Sequence, residues 1–355
     1  MKTYVAILVI SALAAFFFTP LMRRLALRFG AIDLPGERKV HQKPMPRFGG
    51  LAVFIGFCFP WAGFYLLDNL VTETFQNYEK LFAALMLGAS AMLVLGVWDD
   101  LRGLNAAQKF SVQILTAVGL YFAGFQITSL SNPFGAAIVL GAWSLPVSVL
   151  WIVGITNAIN LLDGIDGLAT GVTICIALSL ALINIFANHI IVALLTLCLA
   201  GACLGFLPHN FAPARIFLGD SGSLFIGMVL ACIGIISLFK AATVSFVAAP
   251  LILFGLPLMD TTSVFLGRLF RGAPLFRADK THVHHRLLQL GLNHKEVALF
   301  LYGVTIVLGT AAVFLTLQQS PATFLIGVVL AVALGAFLWL ARRWRNRIRP
   351  DPGSK

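Results

Sequence analysis

Six carboxylates stand where a strongly apolar chain should not carry them: Asp99, Asp100, Asp163, Asp166, Asp220 and Asp260. Each lies at or beside the end of a long hydrophobic run. A carboxylate next to hydrocarbon costs several kcal/mol unless it meets water, a cation or a partner, so such residues mark function by default. Asp99 and Asp100 are adjacent in Leu95-Gly-Val-Trp-Asp-Asp100. Neighbouring carboxylates repel each other unless a cation sits beside them, which suits either Mg²⁺ ligation or a base role. An acidic helix end solvated at the interface is the simpler alternative.

Asp163 and Asp166 lie in Asn160-Leu-Leu-Asp-Gly-Ile-Asp-Gly-Leu-Ala-Thr-Gly171. Their i,i+3 spacing puts both on one face if the segment is helical, and the glycines admit a phosphate or a second backbone. A plain Gly-Asp turn explains the glycines but not two acids at membrane depth. Gly219-Asp-Ser-Gly-Ser223 opens another apolar run, with Asn210 and Arg215 upstream. Asp220 or Ser221 there caps a helix, or the free N–H groups of the helix start bind an anion; the two roles are compatible. Asp260, in Pro257-Leu-Met-Asp, reads as a partner for Arg268 or another loop cation.

Basic and histidine-rich segments complement the acids. Four of the seven histidines fall within 282–294, and His282, His284 and His285 sit among Arg277, Lys280 and Arg286. With no cysteine among them and so many cations nearby, a diphosphate clamp fits better than zinc. A basic juxtamembrane loop explains the arginines but not the histidines. Lys43 and Arg47 are placed to meet phosphate, although lipid headgroups would satisfy them equally.

These groups need elements to hold them. Of 355 residues 59% are apolar and 11% charged, against roughly 25% charged in a soluble domain, and mean hydropathy is +0.93. Soluble and disordered chains are excluded. Apolar runs long enough to span a bilayer lie near 4–22, 49–67, 80–98, 107–124, 146–162, 168–187, 190–207, 222–239, 243–264, 297–317 and 321–341. The expectation is an all-α polytopic membrane protein of about eleven transmembrane helices, with a small extracytoplasmic hairpin near 125–146. Residues 1–341 read as a single integral membrane catalytic domain and 342–355 as a basic cytoplasmic tail. The first run is taken as a retained helix, since Phe16, Phe17 and Phe18 extend it beyond the cleavage-like Ala12-Leu-Ala.

The net charge of +11 is distributed by side. When loops are allotted alternately, all basic residues except Lys2, Lys80 and Lys240 share one face. The positive-inside rule makes that face cytoplasmic, with the N-terminus outside and the C-terminus inside. The charge therefore belongs to loops against an anionic leaflet, not to a nucleic-acid surface. Cys58, Cys175, Cys198, Cys203 and Cys232 lie within apolar runs and read as packing residues.

Taken in order, the motifs resemble those of the polyprenyl-phosphate N-acetylhexosamine-1-phosphate transferases, a superfamily that includes the phospho-MurNAc-pentapeptide translocases. The resemblance rests on Pro46-Arg-Phe-Gly-Gly50, Asp99-Asp100, Lys109 in Asn105-Ala-Ala-Gln-Lys109, Asn160 to Gly167, Phe217-Leu-Gly-Asp-Ser-Gly-Ser223 and His282-Val-His-His285. It implies transfer of a sugar 1-phosphate from a UDP-N-acetylhexosamine to undecaprenyl phosphate, with release of UMP, at the cytoplasmic face of a bacterial inner membrane. It further implies Mg²⁺, or Mn²⁺, on Asp220 and Asp100, with Asp99 deprotonating or orienting the acceptor phosphate. Asp163 and Asp166, with Asn160 and Asn210, would shape the nucleotide site. Lys43, Lys109, His282, His284, His285 and Arg286 would hold phosphate. A homodimer is also expected. Direct attack and a route through an aspartyl phosphate both remain open. Val283 interrupts the run of histidines that the pentapeptide translocases resemble one another in, which implies a small donor, GlcNAc by default. A secondary transporter is the competing class, but its acids should lie near mid-membrane and in related halves.

Overall fold

The computed structural model describes residues 2–34, 44–66, 75, 78–130, 132, 136–239, 248–270 and 282–318. Among them the chain is almost wholly helical, as an apolar chain in lipid must be, because every backbone N–H and C=O needs an internal partner. The helices are α1 (Lys2–Phe29), α2 (Gly49–Leu66), α3 (Glu79–Arg102), α4 (Ala106–Phe122), α5 (Ser144–Leu162), α6 (Leu168–Phe186) and α7 (Ile190–Asn210). They continue with α8 (Gly219–Gly234), α9 (Ala248–Leu253), α10 (Gly255–Leu269), α11 (Val283–Gln289) and α12 (His294–Gln318). Two short antiparallel pairs join them: β1 (Ile32–Asp33) with β2 (Met45–Pro46), and β3 (Ser129–Leu130) with β4 (Ile138–Val139). Among the described residues seven helices are long and apolar enough to cross a bilayer, and the shorter apolar stretch Gly49–Gly63 adds to them. The molecule is an all-α polytopic membrane protein.

Burial separates inner from outer helices. The apolar windows of α6, α7 and α8 are 78%, 83% and 100% buried, against 33% for α1 and 44% for α3 and α12. Core and periphery thus differ in what they face, protein or lipid, although their compositions are alike. Helix α8 lies among α2, α3 and α5; α1 packs on α7 and α2, and α12 on α6. The close crossings depend on missing side chains. A Cβ on Gly96 would overlap the backbone of Asp220 and Ser221, and one on Gly50 would overlap Gly222. Small residues at such contacts let helices approach when lipid offers no hydrophobic drive for association.

The expected ninth span is not one helix. It breaks at Phe254 into α9 and α10, and its first residues, like the span at 321–341 and the tail 342–355, lie outside the described residues. Helix α8 closes in a π turn, Ile235–Phe239. The five cysteines are free, three of them buried in the core.

Candidate active site

The expected acids converge at one end of the bundle. Lys109 Nζ donates to Asp99 Oδ2 at 3.0 Å and to Asp220 Oδ2 at 2.8 Å, joining α3, α4 and the start of α8 through one ammonium. The local sequence explains how each group is aimed. Asn105 accepts the Gln108 N–H while Gln108 accepts the Asn105 N–H, a reciprocal cap that starts α4 and places Lys109 in its first turn. The Leu104 N–H donates to Asp99 Oδ1, so the tight α3–α4 turn orients that carboxylate. Asn160, at the end of α5, donates to Asp220 Oδ1 at 3.2 Å and to Ser223 Oγ at 2.8 Å.

Asp100 behaves differently. Its Oδ1 accepts the Asp220 N–H at 3.0 Å and its Oδ2 the Ser221 N–H at 3.1 Å. The residue is buried. The N–H groups expected to bind phosphate are therefore already satisfied by a carboxylate of the chain, at the helix end where negative charge is favoured. Asp100, expected as a catalytic group and metal ligand, thus builds the helix start, and Asp99 is the carboxylate that shares a cation with Asp220.

The Pro46 to Gly50 motif is the other support of this helix start. Phe217 N–H donates to the Pro46 carbonyl, and the Gly49 and Gly50 amides donate to the Phe217 and Leu218 carbonyls, at 2.8–3.0 Å. Arg47 pairs with Asp33 and also acts electrostatically on Asp163. Lys43 lies outside the described residues.

Between α5 and α6 the two acids divide. Asp166, expected as a catalytic group, accepts the Ala214 N–H on Oδ2 at 2.9 Å, which ties this turn to the segment after α7. The Asp163 N–H donates to the Asn160 carbonyl, whereas its carboxylate makes no hydrogen bond among the described residues. Burial pushes its carboxyl well above the usual range, and the carboxylates of Asp220, Asp100 and Asp166 add to this, while Arg47 opposes them. Asn210 is spent within the protein: its Oδ1 accepts from Thr170 at 2.8 Å and its Nδ2 donates to the Ile216 carbonyl at 3.1 Å. The Tyr302 hydroxyl donates to the Gly167 carbonyl at 2.6 Å and pins this turn from α12. Nothing in the local sequence pointed to Tyr302.

The histidine segment docks on the same turn. The His284 ring packs on Gly164, where a methyl group would overlap the imidazole. Burial depresses its basicity to a pKa of about 3, with His285 adding to the effect. His282 and His284 stack with ring centroids 5.7 Å apart, and His285 lies 4.4 Å from His284. Asp260, expected to pair with Arg268 or another loop cation, meets His282. Arg286 lies in α11. Arg277 and Lys280 lie outside the described residues.

Among the described residues no three His, Cys, Asp or Glu side chains form a ready-made cation cage. Two carboxylates converging on one point, with a carboxamide alongside, match Mg²⁺, which uses one or two protein carboxylates and takes its remaining ligands from substrate phosphates and water.

With this geometry in place, comparison with known proteins gives the class. Residues 82–238 match the glycosyl transferase family 4 model, the segment that holds Asp99, Lys109, Asn160, Asp163 and Asp220. The chain belongs to that family. It is 38% identical to a probable undecaprenyl-phosphate N-acetylglucosaminyl 1-phosphate transferase of Bacillus subtilis, over 86% of this chain and 83% of the relative. It is 35% identical to the decaprenyl-phosphate N-acetylglucosaminephosphotransferase of Mycobacterium tuberculosis, over 96% and 90%. A phospho-N-acetylmuramoyl-pentapeptide-transferase of Clostridium beijerinckii is more distant, at 30% over 82% and 88%.

Proposed function

We infer that the protein transfers GlcNAc 1-phosphate from UDP-GlcNAc to undecaprenyl phosphate, giving undecaprenyl-diphospho-GlcNAc and UMP, as the first step of a cell-envelope polysaccharide. One observation carries this: Lys109 holds Asp99 and Asp220 together, with Asn160 on the latter, at the membrane-surface end of four different helices. One reactant is confined to the bilayer and the other is water-soluble, so the reaction needs charged groups at such an edge. The identity to N-acetylglucosaminyl phosphotransferases supports the donor.

In this reading the acceptor phosphate oxygen attacks the sugar-linked phosphorus, and the bond from that phosphorus to the oxygen leaving with UMP breaks. Asp99 orients the acceptor phosphate, whose second pKa near 6 leaves it largely dianionic at neutral pH. Lys109 offsets charge between the two phosphates. Asp220 and Asp99 would hold Mg²⁺, with the Asn160 carboxamide alongside; when bound, the ion supplies charge neutralisation on the donor diphosphate. Asp163 faces the nucleotide, and the histidine segment covers the diphosphate. The reading also places eleven spans in a bacterial inner membrane, N-terminus outside and C-terminus inside, with the site facing the cytoplasm; the one-sided distribution of Lys and Arg supports it.

The test is direct. Purified protein given Mg²⁺, UDP-GlcNAc and undecaprenyl phosphate should release UMP and form a lipid product of the matching mass, and chelation should stop both. A folded preparation that released no UMP from any UDP-N-acetylhexosamine would overturn the reading in favour of transport.

A further inference from the structure

The reading above leaves Asp260 unused, although the fold surrounds it with unusual care. It lies on α10 and is 1% exposed. One oxygen accepts the Val283 N–H at 2.7 Å, and the other meets His282 Nδ1 at 2.8 Å. The first bond caps α11. A cap alone does not require a buried carboxylate, which is costly to desolvate and is often replaceable by apolar packing. The second bond has a chemical consequence. A carboxylate only accepts, so Nδ1 of His282 carries the proton, and Nε2 becomes the one ring nitrogen free for a ligand.

The ring has a fixed direction as well as a fixed tautomer. It stacks nearly parallel, at 10°, on His284, whose own ring rests on Gly164 beside Asp163. The His282 ring is thus one layer removed from the turn that faces the Asp220 cluster. Nδ1 of His284 is buried with no partner among the described residues, a second polar atom in this layer without an internal use. To meet an anionic oxygen Nε2 must itself carry a proton, so a bound diphosphate would take a hydrogen bond from Nε2 while Nδ1 donates to Asp260.

We propose that Asp260 is a positioning residue of the transferase site, holding Nδ1–H of His282 and fixing the direction of its ring so that an Nε2–H donates to a diphosphate oxygen of the nucleotide sugar. This rests on the function inferred above. Partners of this kind, placed behind a ligating group, change activity by about 10- to 100-fold when removed.

A double-mutant cycle tests it, read as UMP release with UDP-GlcNAc and undecaprenyl phosphate. Asp260→Asn should raise KM for UDP-GlcNAc with a smaller change in kcat, for a loss of about 10- to 100-fold in kcat/KM. His282→Ala should lose as much or more. The double variant should be no worse than His282→Ala within about twofold, since Asp260 would have nothing left to position. Val283→Pro separates the cap from the ring bond. It removes the amide donor and puts a compact apolar ring in place of the buried Val283 side chain; proline is tolerated at the first position of a helix, and His282 at φ −56° and ψ 150° already has the backbone that precedes proline. It should stay within about twofold of the parent, well inside the loss expected of Asp260→Asn. Additive losses in the cycle, or a Val283→Pro defect equal to that of Asp260→Asn, would overturn the proposal while leaving the transferase reading intact. A folded parent chain that releases no UMP overturns both. If Asp260→Asn loses its melting transition, ¹⁵N shifts of His282 in the parent chain decide: a protonated Nδ1 supports the proposal, and a bare Nδ1 overturns it.

Discussion

Asp100 closes the helix that carries Asp220. Its two oxygens take the amides of Asp220 and Ser221, across 120 residues of sequence. Adjacent carboxylates in the Asp99-Asp100 pair therefore have different jobs, one facing the shared ammonium and the other building the helix start.

That division can be read from two variants. Asp220→Asn should keep its melting temperature and lose at least about 100-fold in UMP release, the scale of removing one charged stabiliser from a reaction centre. Asp100→Asn keeps one acceptor and turns an NH₂ toward the other amide, so it should cost about 1–2 kcal/mol of stability, the scale of a lost helix cap. Its rate should not be restored by a Mg²⁺ titration. An Asp100→Asn protein with an unchanged melt and a shifted Mg²⁺ dependence would return Asp100 to ligation.

Lys109→Gln leaves Asp99 and Asp220 without their common cation. Turnover should fall by about 100-fold or more. The Mg²⁺ requirement should change, because the two carboxylates then have only the added ion to offset their repulsion. The comparison is UMP release against Mg²⁺ concentration for both proteins.

Gly96→Ala and Gly119→Ala offer a matched pair on neighbouring helices. At Gly96 a methyl group meets the backbone of Asp220 and Ser221, whereas at Gly119 it meets open space. The first should cost about 1–3 kcal/mol or more through overpacking and reduce activity by displacing Asp220. The second should be neutral or stabilising by up to about 1 kcal/mol, as helix propensity dictates. Thermal melts in detergent measure both.

Docking of the histidine segment should depend on pH. His284 is neutral on Gly164 with a pKa of about 3, whereas an undocked imidazole titrates near 6.5. Docking is thus fully favourable above 6.5. It weakens as pH falls from there toward 3, because only the undocked segment takes up the proton, at a limiting slope of about 1.4 kcal/mol per pH unit. Hydrogen-exchange protection of residues 283–289, corrected for intrinsic rates, should fall between pH 7 and pH 5. His284→Asn should flatten that dependence.

Much of the site was legible because acids at the ends of apolar runs, and basic loops sharing one face, obey rules that act along the chain. Asp99, Lys109, Asn160 and Asp220 meet for that reason. What escaped depends on which helices pack together. No local signal distinguishes Asp100 from Asp99, since the difference is made by α8 docking far along the chain. The Asp260–His282 pair and the Tyr302 hydrogen bond to Gly167 likewise join separate elements. The break at Phe254 did have a signal in Gly255-Leu-Pro257, since proline near the start of a helix marks a beginning.

The apolar window of α8 is wholly buried among the described residues. A change in acyl-chain length will tilt or strain the outer helices first, because hydrophobic mismatch acts on surfaces that touch lipid. Among the described spans Asp220 rides on the one most sheltered from that stress, so the chemical step should hold steady across host lipids of different thickness while the loading of the lipid acceptor shifts with them.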